Sequence, residues 1–227
     1  MSNQLTWLGH GTWLLSVGEH TILLDPFLDE SPTAPIKAAE VEPDTILVSH
    51  GHFDHVADLV SIAQGTGALV VANFEICQWV GKQGVENTQP MNLGGKVSLP
   101  WGEVTMTLAH HSSSLPDGSY GGTAGGFLLQ LAGTKIYFGC DTALFSDMER
   151  IGKVGLDWAV LPIGDLFTMG PEDSLEAINL LTPKQVLPAH YNTWPPIEQD
   201  ASAWAEQVSQ QTAAKPKVLE PGETVEL

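Results

Sequence analysis

The alternation of apolar and polar residues divides the chain into short runs. Residues 5–8, 12–17 and 20–24 are apolar stretches separated by Gly9-His10-Gly11 and by Gly18-Glu19. The second break is a tight-turn signal, so these runs predict strands with a hairpin at 18–19. Residues 45–49 form an apolar run that stops at His50, which predicts a buried strand. Val56, Leu59, Val60 and Ala63 then follow at helical spacing and predict a helix over 55–64. A strand at 68–72 and a helix at 74–82 come next. Residues 104–109 read as a strand running into His110-His111, and the Gly- and Ser-rich segment 112–126 as a loop. Residues 127–131 and 135–138 predict a second hairpin, 158–162 and 185–188 two strands, and 174–181 and 197–210 two helices. The Pro- and Ala-rich segment 31–43 reads as a loop or a short helix.

The pattern repeats itself weakly. The first half has a hairpin ending at Asp25, a strand ending at the His50 loop, a helix and the strand 68–72. The second half has a hairpin ending at Asp141, a strand ending at Gly164-Asp165, a helix and the strand 185–188 with Ala189. Two such β-rich halves would stack their sheets face to face and carry helices outside.

Composition narrows the class. The 227 residues suit one domain, 1–227, with a single sizeable core. No apolar run reaches the roughly 18 residues of a membrane span, and the first residues lack a basic region followed by an apolar stretch. Two cysteines, Cys77 and Cys140, offer no disulfide framework. A cytoplasmic location is therefore expected. Nine basic residues face 27 acidic ones, and Arg150 is the sole arginine. A polyanion needs a cationic patch to grip it, so neither nucleic acid nor an anionic membrane is expected as a partner. A small-molecule substrate is.

Candidate chemistry is concentrated in Ser49-His50-Gly51-His52-Phe53-Asp54-His55, between the buried strand and the helix. His50 and His52, two apart in an extended segment, project to one side. Asp54 and His55 open the helix and can address a neighbouring position, with Gly51 letting the chain bend between them. Two ligand sets a few ångströms apart suit a pair of borderline-soft cations. A lone histidine at a helix start is commonplace, but three with an aspartate in this order are not. His111, Asp141 and His190 each follow a predicted strand and bring the possible ligands to seven. No Gly-x-Ser-x-Gly nucleophile motif competes.

Residues 7–12, 24–27, 49–55, 109–113, 138–142, 161–171 and 188–193 together resemble the metallo-β-lactamase superfamily, and within it the UlaG-like branch of small metal-dependent hydrolases. The resemblance implies an α/β fold, the αββα four-layer sandwich of two facing mixed sheets with helices outside. It implies that His50, His52 and His111 hold one metal ion, that Asp54, His55 and His190 hold another, and that Asp141 bridges them. Zinc is the first expectation for the two divalent ions, with manganese, iron or nickel as alternatives. Of the adjacent His110 and His111, the family pattern selects His111. His110 would then point the other way, as a core residue or a support for the ligands. His10 is expected to face the metals or the substrate. Asp25 would accept a hydrogen bond from a ligand histidine. Asp165, Phe167, Met169 and Ser112 would border the pocket, although Thr168 could equally start a turn and Asp173 cap the following helix. The implied reaction is hydrolysis by a hydroxide bridging the two ions, with Asp54 orienting it, on a small ester or lactone. Alternatives are a small phosphodiester, or a metal-binding protein without turnover. Related enzymes that assemble leave a homo-oligomer open.

Overall fold

The computed structural model describes residues 3–227. Its strands form two sheets of seven. The first contains β1 (Gln4–Trp7), β2 (Trp13–Val17), β3 (His20–Leu24), β4 (Thr45–Leu47), β5 (Leu69–Asn73) and β6 (Thr88–Met91) in chain order. The second contains β7 (Lys96–Leu99), β8 (Gly102–Leu108), β9 (Gly125–Leu131), β10 (Thr134–Phe138), β11 (Trp158–Pro162), β12 (Gln185–Ala189) and β13 (Lys215–Pro216). The last strand, β14 (Thr224–Glu226), returns to pair with β1.

The repeat foreseen in the sequence is present in the pairing. In the first sheet β14, β1, β2 and β3 are joined antiparallel, and β3, β4, β5 and β6 parallel. In the second, β7 to β10 are antiparallel and β10 to β13 parallel. Parallel strands are buried on both faces and read as unbroken apolar runs, which is why these were the easiest to foresee. The edge strands β6, β7, β13 and β14 carry polar residues and prolines and had no such signal.

Two apolar layers hold the fold. Trp7, Trp13, Leu15, Phe127, Leu129 and Phe138 are almost fully buried between the sheets. Each large apolar side chain buried this way contributes about 1.5–3 kcal/mol. On the outer face of the first sheet, Leu23, Ile46, Val70 and Ala72 pack with Ile62, Ile76 and Val80 from α2 (Leu59–Thr66) and α3 (Phe74–Lys82). On the outer face of the second lie Leu175, Ile178 and Leu181 of α5 (Pro171–Leu181) and Trp204 and Val208 of α6 (Ala201–Gln211).

Three helical expectations shift. The helix expected over 55–64 is two helices, α1 (Phe53–Val56) and α2. Asp58 separates them because its carboxylate accepts from the backbone N–H groups of Leu28 and Asp29, at 2.6 and 3.1 Å. The helix expected over 197–210 begins at Ala201, where Asp200 accepts from the N–H groups of Ser202 and Ala203. α5 begins at Pro171 with Gly170 as its cap, so Asp173 lies in the first turn and caps nothing. Proline suits that first turn because its missing donor would be unpaired anyway. The short α4 (Met148–Gly152) was not foreseen.

Candidate metal centre

Every predicted ligand leaves one edge of the sandwich. β3 runs into Asp25, β4 into the His50–His55 loop, β8 into His111, β10 into Asp141 and β12 into His190. The backbone is unusual there. His10, Asp25, Cys140, Asp165 and His190 all have φ between 47° and 69°. Asp and His tolerate this left-handed region better than most residues, and such backbone clusters at functional sites.

Close packing fixes the loops. A side chain on Gly11 would meet His55 Cε1 at 2.9 Å, and one on Gly164 would strike the His190 carbonyl. Gly51 does not take a left-handed turn; its bareness lets Leu115 and the Ser114 carbonyl lie against it. Its role is close approach rather than the tight bend expected of it.

Two nitrogen-rich sets face each other. His50 Nε2 lies 3.0 Å from His52 Nδ1, and His111 Nε2 lies 3.2 Å from the same atom. Donors around a tetrahedral zinc with bonds of 2.0–2.1 Å would stand roughly 3.3 Å apart. In the other set, Asp54 Oδ2 lies 3.7 Å from both His55 Nε2 and His190 Nε2. Asp141 reaches both. Its Oδ2 is 3.8 Å from His50 Nε2, 3.6 Å from His111 Nε2, 3.3 Å from His55 Nε2 and 3.0 Å from His190 Nε2. His55 Nε2 and His190 Nε2 are nevertheless buried without a hydrogen-bond partner. The distances are short but not aligned for a hydrogen bond, so the lone pairs converge on a common space. Buried nitrogens of this kind, beside two carboxylates, are the donor set that a divalent cation satisfies.

The charges follow the geometry. Burial, reinforced by His55, keeps His50 well below the usual histidine range. Burial likewise lowers His52 and His111. Burial also opposes charge on His55 and His190, but Asp141 outweighs it, so His55 is raised well above its ordinary value and His190 to about 9. Burial works against ionising Asp54 and Asp141, yet the facing histidines hold both well below the carboxylate range. A cation takes the place of such protons when it binds.

The supporting contacts are specific. Asp25 Oδ2 accepts from His55 Nδ1 at 2.9 Å. His10 is fully buried, and burial with His190 beside it lowers its pKa to about 4. It is therefore neutral, donates from Nε2 to Asp54 Oδ2 at 2.9 Å and accepts at Nδ1 from the Thr193 hydroxyl at 2.7 Å. Ser112 is exposed, with its hydroxyl 3.3 Å from His52 Nε2. Residues 191–193 flank a predicted ligand and were expected to border the pocket, but Thr193 is buried and holds His10, while Ser49 holds His50 from behind.

The remaining expectations divide. Asp165 and Phe167 sit in an exposed turn, closed by the Thr168 N–H on the Asp165 carbonyl and tied by the Met169 N–H to the Thr142 carbonyl beside Asp141. Met169 does not border a pocket. It is 2% exposed and packs in the larger apolar cluster, because the turn folds it inward. His110 is neither core nor support; it is exposed and stacks on Phe145 at 5.0 Å.

Comparison with known proteins fixes the family. Residues 20–191 match the model of the beta-lactamase superfamily domain. The chain belongs to the beta-lactamase superfamily. Within the superfamily it is 47% identical over 224 residues to a UPF0173 metal-dependent hydrolase of Thermus thermophilus, covering 99% of each chain. It is 45% identical over 228 residues to the corresponding protein of Symbiobacterium thermophilum, covering 99% of this chain and all of that one. Among solved structures it is similar to Igni18, a metallo hydrolase from the archaeon Ignicoccus hospitalis, with a TM-score of 0.91, 32% identity, and 100% and 99% of the two chains covered. This superfamily member therefore falls in the UPF0173 family of metal-dependent hydrolases. The four-layer sandwich expected from the sequence is its fold. Among the described residues no helix is long and apolar enough to cross a membrane.

Proposed function

We propose that this chain hydrolyses a small neutral ester or lactone at a pair of divalent metal ions, zinc foremost. The observation that carries the two-ion reading is Asp141, whose one oxygen lies within 3.8 Å of histidine nitrogens from both sets. His50, His52 and His111 would hold one ion, Asp54, His55 and His190 the other, and Asp141 both. When bound, two such ions lower the pKa of a water between them toward neutrality and polarise the carbonyl under attack. The chain's own residues keep this set in order. His10 fixes the Asp54 carboxylate from behind, and Asp25 fixes His55 with Nε2 facing the ions. Access is from the side of His52, Asp54 and His111, the three partly exposed members.

The surroundings favour a neutral, partly apolar substrate over a phosphodiester. None of the nine lysines and arginines lies in segments 9–11, 25–36, 49–55, 109–123, 139–146, 163–170 or 189–195. A phosphate would find no cationic side chain to clamp it. Among the described residues the exposed large apolar ones are Phe53, Phe74, Tyr120, Leu166 and Phe167, and all five lie in connections that leave this same edge. Apolar surface gathered around one mouth suits the acyl or alcohol part of an ester.

Elemental analysis of the purified protein and of its His52→Ala and Asp141→Ala variants tests the reading, followed by turnover of aryl esters, lactones and bis-aryl phosphodiesters. The expected result is about two transition-metal ions per chain, fewer in both variants, with esters or lactones preferred. A wild-type protein that takes up only traces of metal refutes the reading. Faster turnover of the phosphodiesters would instead move the substrate class.

A further inference from the structure

Beneath the two sets lies a chain of hydrogen bonds that serves both. With Nε2 turned to the metal side, His50 donates from Nδ1 to the Ser49 hydroxyl at 3.0 Å. The Ser49 hydroxyl donates to Asp25 Oδ2 at 2.6 Å. The same oxygen accepts from His55 Nδ1 at 2.9 Å, and Asp25 Oδ1 accepts from the Ser49 N–H at 2.7 Å. Ser49, His50 and His55 are 0% exposed and Asp25 is 1% exposed, so no solvent competes. Every donor is used once, and both lines end on one carboxylate. His50 belongs to one set and His55 to the other. Asp25, His50 and His55 stand close enough to resemble a third cation site. The hydrogen bonds among Asp25, Ser49 and the two Nδ1 atoms already satisfy this group and make it a support instead.

We propose that Ser49 and Asp25 are positioning residues that tie the two half-sites to a single anchor. The Ser49 hydroxyl sets the ring orientation and tautomer of His50 alone, whereas the Asp25 carboxylate sets His55 directly and His50 through Ser49. This inference rests on the two-ion reading above. Its consequence is asymmetric. Loss of the hydroxyl loosens the ion of the His50 set and leaves the other, while loss of the carboxylate loosens both. Removing such a partner behind a ligand lowers metal affinity by about 10–100-fold.

The test is competition between the cobalt-loaded protein and a chromophoric chelator, following release and the cobalt d–d absorption. Wild type should release two ions in two steps, and His52→Ala identifies the step belonging to the His50 set. Ser49→Ala should release that ion at a chelator concentration lower by about 10–100-fold, with an altered d–d band and the other step unmoved. Ser49→Thr, which keeps a hydroxyl, should restore the wild-type profile. Asp25→Asn keeps the size and tolerates the left-handed backbone at this position, and should shift both steps. If Ser49→Ala retains both steps of the wild type, the proposal is overturned. It is overturned equally if Ser49→Thr fails to restore what Ser49→Ala loses, or if Asp25→Asn moves one step only. Should Asp25→Asn not fold, the two Ser49 variants decide. A wild type that binds a single ion would instead refute the two-ion reading, so the two failures are distinguishable.

Discussion

The two proposed ligand sets meet at Asp141 but are built differently. The His50 set takes two of its members from three consecutive residues and leaves His52 and His111 partly open to solvent. Burial keeps its nitrogens neutral, so they are ready to bind a cation near neutral pH. The other set joins Asp54 and His55 of the first sheet's edge to His190 of the second sheet's, and its histidines are almost fully sealed. Carboxylates raise His55 and His190, so without a cation that set holds protons. One set is a local motif exposed on one side, and the other is a product of the two sheets facing each other. Placing one carboxylate between sets of opposite protonation lets a single residue serve both.

The largest expected effect falls on that shared residue. Asp141→Asn should reduce kcat/KM for an ester by roughly 10³-fold or more and loosen both ions, as read by kinetics and metal content. Loss of one ion only would show that Asp141 belongs to a single set.

A middle-sized effect separates the sets by pH in metal-free protein. A group whose folded pKa is raised stabilises fully below its unfolded value and loses that contribution as pH rises through the folded one. His190 is raised from 6.5 to about 9, so chelator-treated protein should lose stability between those values. The thermal midpoint should fall from pH 6.5 to pH 9, and loading with zinc should remove most of the fall. A midpoint equal at both pH values would mean that His190 carries no proton in the absence of metal.

The smallest effect concerns the rim. Phe167 is 57% exposed, so Phe167→Ala should leave stability within about 0.5 kcal/mol of wild type. It should lower kcat/KM for long-chain esters by roughly tenfold while sparing the acetyl ester, as measured along a chain-length series. A uniform loss along the series would place Phe167 outside the substrate's path.

Legibility in the sequence followed locality. The parallel strands β4, β5, β11 and β12 announced themselves as apolar runs, and the His50–His55 cluster as four possible ligands within six residues. His111, Asp141 and His190 were each ordinary turn residues until the family resemblance joined them. Met169 and His110 went the other way. The turn at 165–169 folds one into the core, and the stacking on Phe145 turns the other outward. Neither outcome depends on residue type. Ser49 and Thr193 were invisible as supports because a hydroxyl beside a histidine carries no periodic or compositional signal.

By itself the sequence announced the central parallel strands β4, β5, β11 and β12, the His50–His55 cluster and, once joined by the family resemblance, seven candidate ligands at strand ends. Periodicity and residue chemistry are local properties, and a buried strand must be apolar whatever it packs against. The tertiary structure alone decided that Asp141 stands within 3.8 Å of both sets, that His10 is buried behind Asp54, and that Asp25 and Ser49 join the sets from below. These are distances between strands far apart in the chain. They exist only because two similar half-sheets close face to face with their strand ends in register.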